Sequence, residues 1–198
     1  IDDEAQSGGI ADGVDDVAGA IASTTGLLGY KAGADGLKTL VLTGPATLGA
    51  EAVSSIWNPA TNTLTISSVA RGLIATVVVT NLVTGAYTVT FSKPVLHEKG
   101  LDENDATLTV GYSVTDKDGD SATGSLKVTV DDDTPTIAFT TQDVCIPSLA
   151  VDDSDLTIDA SANIANLFDS NPGADGQASL TYALDVKSPG VDSGLVDT

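Results

Sequence analysis

Between residues 107 and 135 the chain reads TLTVGYSVTDKDGDSATGSLKVTVDDDTP, and its aspartates have the spacing that most plainly permits chemistry. Asp116, Asp118 and Asp120 alternate through a short loop that also holds Gly119. Three carboxylates so close repel one another, which costs free energy unless a cation sits among them. Calcium suits such a set, because it accepts about six to eight oxygen ligands in flexible geometry. The loop is not an EF-hand: flanking helical patterns are missing, and the twelfth position counted from Asp116 is Lys127 where a bidentate glutamate belongs. A solvated turn is the plain alternative, since Asp and Gly are common turn residues. A second cluster, Asp131, Asp132 and Asp133, follows closely. The LDENDA stretch before the segment adds Glu103 and Asp105.

The elements that must position these carboxylates are strands. Leu108, Val110, Tyr112 and Val114 alternate with small polar residues, the period of two of a strand buried on one face. Residues 123–130 do the same through Leu126, Val128 and Val130, which predicts an antiparallel hairpin closed by the acidic loop. Pro135 lacks a backbone donor and ends the run. Upstream, strand patterns occur at 37–43, at 55–57 and 63–67 around the turn Asn58-Pro-Ala-Thr-Asn62, and at 75–80 and 86–91 around Asn81-Leu-Val-Thr-Gly85. The acidic, glycine-rich residues 1–16 read as a leading segment, and 159–168 as a short helical turn.

Composition bounds the function. The 198 residues include 28 acidic and 8 basic ones, a formal net charge of -20 that argues against nucleic acid or an anionic membrane surface as partner. Aspartate greatly outnumbers glutamate, so the charge belongs to loops and turns more than to helices. With 41% hydrophobic residues in strand-sized runs, the chain can bury a core and is not of the disordered class. Its one cysteine, Cys145, excludes an internal disulfide and reads as a small buried hydrophobe; metal ions could staple the fold instead. No stretch is long enough for a membrane-spanning helix, no signal peptide is present and Ile1 is not an initiator, so the sequence is expected to be a piece of a longer protein.

A repeat is suggested by two ordered matches. Gly33-Ala-Asp-Gly36 precedes LKTLVLT as Gly173-Ala-Asp-Gly176 precedes QASLTYAL, and Ile1-Asp-Asp-Glu4 is echoed by Val151-Asp-Asp-Ser154. The chain is expected to form one extended module over 1–198, with a possible internal boundary near 134–136 and a partial second repeat over 137–198. Enzymatic chemistry finds little support. His97, the single histidine, has no triad partners by spacing and reads as a surface residue near a strand end; one His and one Cys cannot make an ordinary zinc site. Only 4% of residues are aromatic, leaving few platforms for sugar rings, and Trp57 reads as core or rim packing.

Taken together, LDENDATLTVGYSV, TDKDGDSATGSLKVTVDDDTPTI and VDDSDLTIDASANIANLF resemble the repeat modules of bacterial RTX adhesins, type I secreted surface proteins built of tandem calcium-bound β-sandwiches. The resemblance covers most of the chain and is closest to the calcium-dependent peptide-binding domain of that family. It implies an all-β, calcium-stabilised antiparallel β-sandwich with long acidic loops and several bound Ca2+ ions. The implied ligands are Asp116, Asp118, Asp120, Asp131, Asp132 and Asp133, then Glu103 and Asp105. It further implies a monomeric adhesion module on the bacterial cell surface, active in cell adhesion and biofilm formation, not inserted in a membrane and next to other repeats of the same chain. Such a module grips the free C-terminal peptide of a partner-cell protein, with calcium helping to hold the peptide's carboxylate. A calcium-rigidified extender repeat of the same class is the alternative; a carbohydrate-binding module has less residue support. No local motif identifies the ligand groove.

Overall fold

In a computed structural model the described residues are 1–11, 19, 21–100, 104–140, 145, 147, 157 and 160–183. Their strands are β1 (Ser23–Leu27), β2 (Leu37–Thr43), β3 (Thr47–Leu48), β4 (Glu51–Ala52), β5 (Ser54–Asn58), β6 (Thr63–Ser68), β7 (Gly72–Asn81), β8 (Ala86–Phe91), β9 (Ala106–Asp116), β10 (Ser121–Val130), β11 (Thr136–Phe139) and β12 (Phe168–Asn171). Two 3-10 turns, Asp3–Ala5 and Ala165–Leu167, complete the regular structure. No helix among the described residues is long and apolar enough to cross a membrane.

A five-stranded sheet, β1-β8-β7-β6-β5, faces a three-stranded one, β10-β9-β2, and every strand pairing is antiparallel. The alternation seen in the sequence explains the packing. Leu64 and Ile66 of β6, Val77 and Val79 of β7 and Val89 and Phe91 of β8 point inward from the first sheet. Leu40, Leu42, Leu108, Val110, Leu126 and Val128 meet them from the second, and all belong to one buried cluster. The fold is an all-β antiparallel sandwich. Burying a side chain such as Leu64 contributes about 1.5–3 kcal/mol. Leu64→Ala, which adds the cost of a cavity, is expected to lower the unfolding free energy by about 2–5 kcal/mol in a denaturant titration.

The strand expected at 37–43 is β2, and the three expected hairpins are β5–β6, β7–β8 and β9–β10. Asn62 closes the β5–β6 turn with φ 51, a left-handed conformation that asparagine tolerates. β1, Ser-Thr-Thr-Gly-Leu, has one large apolar residue and so no hydrophobic alternation in its sequence, and it forms as the edge strand beside β8. The expected helical turn over 159–168 is confined to Ala165–Leu167 in its described part, with Asp159 outside the described residues. The proposed second repeat also falls partly outside them; its described strands β11 and β12 pair with each other. Cys145, expected to be buried, is exposed.

The leading segment is not a loose approach to the sandwich. It runs parallel to the end of β10: the Asp3 N–H donates to the Asp131 carbonyl at 3.1 Å, and the Asp131 N–H donates to the Ile1 carbonyl at 2.9 Å. Asp2 caps the first 3-10 turn, its Oδ1 accepting from the Glu4 N–H at 2.7 Å. This pairing carries two N-terminal aspartates to the strand end that bears Asp131, Asp132 and Asp133.

Candidate metal centre

The β9–β10 hairpin holds the first acidic group. Asp116 Oδ1 accepts from the Gly119 N–H at 2.9 Å and the Asp120 N–H at 2.8 Å, which folds the loop back over the strand end. Gly119, at φ +108, supplies the backbone conformation that this reversal needs. One oxygen from each of Asp116, Asp118 and Asp120 then lies within 4.8 Å of the others, close enough for the three to hold a metal ion. The Asp116–Asp118 contact is electrostatically tense. A hydrogen bond shared between these side chains holds the Asp116 carboxyl below the usual carboxylate range and pushes that of Asp118 above it. A cation between them would relieve that repulsion.

The second acidic group is buried. Asp2, Asp3, Asp131, Asp132 and Asp133 are all inaccessible, and His97 stands among them at only 8% exposure. The reading of His97 as a surface residue is therefore corrected: the chain after β8 passes inward, and polar partners on both sides of the ring offset its burial. Its Nε2 lies 3.2 Å from Asp3 Oδ2 and its Nδ1 2.7 Å from the Asn104 carbonyl oxygen, with Asp132 Oδ2 at 3.8 Å. The Asn104 carbonyl can only accept, so Nδ1 donates to it, and with an ionised Asp3 the Nε2 donates as well, which makes the ring an imidazolium. Burial works against that charge, but the Asp3 and Asn104 hydrogen bonds and the field of Asp132 outweigh it and raise the His97 pKa to about 9.

The aspartates divide their work. Asp3 is 1% exposed; its Oδ2 accepts from the Val95 N–H at 2.8 Å, whereas its Oδ1 is buried with no hydrogen-bond partner. Burial pushes the Asp3 carboxyl up, with His97 pulling the other way, and burial also raises Asp132. Asp133 binds backbone: Oδ2 accepts from the Ile10 N–H at 3.0 Å and the Ala174 N–H at 2.9 Å. Gly173 makes that approach possible, since at φ +86 a Cβ there would lie 2.5 Å from Asp133 Oδ1. Asp175 Oδ2 accepts from the His97 N–H at 3.2 Å. Asp105 is exposed beside Asp131, and a hydrogen bond shared with that carboxylate raises its pKa. Glu103 lies outside the described residues.

The candidate ligands thus form two groups. Asp116, Asp118 and Asp120 converge on one point, and among the described residues no other three acidic, His or Cys groups converge so closely. Asp131, Asp132 and Asp133 sit at the end of β10, with Asp105 beside Asp131. Asp2, Asp3, Asp175 and His97 were missed as members of this second group. The one available signal is the Asp-Asp pair near the start of the chain, echoed at Asp152-Asp153, which the sequence presents as part of an acidic leading segment and as a mark of the repeat.

Residues 148–198 match the family described as Domain of unknown function (DUF5801). No curated protein and no solved structure matches the chain.

Proposed function

We propose that the chain is a calcium-dependent ligand-binding module of a bacterial surface adhesin, with no catalytic role. The observation that carries this reading is the convergence of Asp116, Asp118 and Asp120 within 4.8 Å at the tip of the β9–β10 hairpin. Their donor set is all oxygen and anionic, which suits a hard divalent cation such as Ca2+. The buried group fits a further ion in charge and chemistry. His97 lies against Asp3 and Asp132 of this group, and Asp3 Oδ1 retains an unused acceptor. Bound calcium would supply positive charge to both groups. At the exposed loop it would also give a peptide carboxylate a local attraction that the net charge of -20 denies it elsewhere.

In this reading the module works outside the cell, delivered by type I secretion as part of a long repetitive chain, and binds the free C-terminal peptide of a protein on another cell. Titration of labelled peptides in calcium tests it. Saturable binding that needs calcium and is lost when the peptide's C-terminus is amidated is the expected result, and equal affinity for both forms would reject the peptide-carboxylate mechanism.

A structural extender repeat is the second reading, favoured by Asp133. Its carboxylate joins residue 10, the end of β10 and the Gly173–Ala174 turn beyond Pro135, the kind of bond that fixes successive parts of a chain to one another. Calcium would then raise rigidity without creating peptide affinity.

A further inference from the structure

At the end of the sandwich near the β9–β10 hairpin, an open groove of about 820 Å³ runs between β2 and the turns that follow β5 and β7. Its walls are preformed. Tyr30 donates its hydroxyl to the Leu82 carbonyl at 2.5 Å, and Asn81 Oδ1 accepts from the Val83 and Thr84 N–H groups at 2.8 and 3.0 Å, fixing the β7–β8 turn against the loop before β2. Val83 is left 91% exposed on that wall, and the exposed side of Leu82 adjoins it.

The charge in this groove opposes that of the rest of the molecule. Lys31 and Lys38 line it, and Lys117 reaches over Gly36 in its floor, its Nζ 3.7 Å from where a Cβ at Gly36 would stand. These are three of the chain's eight basic residues, and none of them forms an ion pair with a described residue. Lys38 is the extra residue of a β-bulge: Leu37 pairs with Asp116 and Thr39 with Thr115, leaving Lys38 without a partner position on β9. A bulge of this kind re-aims a side chain, and bulges recur beside functional sites. β2 is also the terminal strand of its sheet; its far end comes against β5, where Gly44 lies on Ser55, and its first part, residues 37–40, lines the groove with an edge that pairs with no other described strand.

We infer that this groove binds an extended acidic segment of a partner polypeptide, which adds along the edge of β2 while its Asp or Glu side chains meet Lys31, Lys38 and Lys117. Strand addition supplies backbone hydrogen bonds, and apolar residues between the acids cover Val83 and Leu82. Three ammonium groups spread along the groove match several side-chain carboxylates better than one terminal carboxylate. The long-range repulsion from the net charge of -20 is screened beyond about 8 Å at physiological salt, so the local lysines govern the contact. This site uses no metal, although it borders the acidic loop: Lys31 and Leu37 share a smaller cavity with Asp116 and Asp120, and Lys117 stands between Asp116 and Asp118, so calcium on that loop is expected to strengthen the contact and a titration in chelator reads what the lysines do alone.

The test is fluorescence anisotropy with a labelled peptide alternating valine and aspartate, amidated at its C-terminus, titrated with the whole chain in excess chelator. Saturable binding is expected, weakening as salt is raised, with no saturable binding of the uncharged valine–asparagine counterpart. Lys31→Glu combined with Lys38→Glu is expected to weaken it by about tenfold or more, with an unchanged thermal melt confirming that the variant is folded. Val83→Asp, which leaves the lysines in place, is expected to weaken it as well. Absence of saturable binding, equal affinity in the folded double variant, or binding only of free-C-terminal peptides in calcium would overturn the inference.

Discussion

In excess chelator the protein is expected to melt well below its temperature in millimolar calcium, and Asp118→Ala is expected to remove a distinct part of that difference. A ligand that binds only the folded state at a hundredfold its dissociation constant stabilises it by about 2.7 kcal/mol. For a chain of this length each kcal/mol moves the midpoint by about 2–4 °C, so one occupied site corresponds to about 5–10 °C. The informative comparison is the sign of the Asp118→Ala effect in the two conditions. Without calcium, replacing Asp118 removes a carboxylate forced against Asp116, so the variant should melt at the wild-type temperature or slightly above. With calcium it should melt below, because one of three converging ligands is gone. A variant that melts below wild type by the same margin in both conditions would show that Asp118 serves the turn and not an ion.

Asp3→Asn separates the buried group from the loop. The substitution keeps the shape of the side chain and its acceptor for the Val95 N–H, but takes one negative charge from a place where charge is costly. If the buried aspartates hold an ion, the variant loses part of the calcium shift while the part controlled by Asp118 persists. The two contributions should add, since the loop and the buried group share no described ligand.

What the sequence discloses and what it hides divide along the range of the contacts. The hairpins were legible because their alternation is local: β9 and β10 pair Leu126 with Val110 and Val128 with Leu108 across one short loop, and that loop gathers Asp116, Asp118 and Asp120. The all-β class and the metal-binding potential of the loop follow from the same few residues. β1 was hidden because Ser-Thr-Thr-Gly-Leu acquires its strand conformation from β8, far along the chain. The buried group was hidden for a stronger reason. Asp3 meets His97 across 94 positions, and the segment holding it reaches the end of β10 through a parallel pairing that no local pattern announces. Acidic residues in a glycine-rich leading segment read as solvated, and a lone histidine beside Glu98 and Lys99 reads as surface. Only the three-dimensional pairing puts them in one dry place.

That dry place should also impose a pH dependence on the calcium-free protein. His97 has an ordinary pKa of 6.5 and is raised to about 9 in the folded state. A basic group so raised contributes stability that is fully present below pH 6.5 and is lost as pH rises through 9. At about 1.4 kcal/mol per pH unit the contribution is roughly 3 kcal/mol as an upper figure. The groups that face the ring are Asp3 from the leading segment, Asp132 from the end of β10, the Asn104 carbonyl and, at the backbone, Asp175. Asp3 and Asp132, raised by burial, also lose stability as pH rises, but their window opens near the ordinary carboxylate value of 3.8 and so begins well below that of the histidine. Denaturant titrations in chelator between pH 6 and 10 are therefore expected to show stability falling across the upper part of the range. In His97→Gln, which keeps a donor but cannot ionise, the fall should disappear from a lower starting stability. A wild-type profile that is flat from pH 6.5 to 9 would mean that the ring is neutral in the folded state, and that its contacts with Asp3 and the Asn104 carbonyl are hydrogen bonds without a charge on the imidazole.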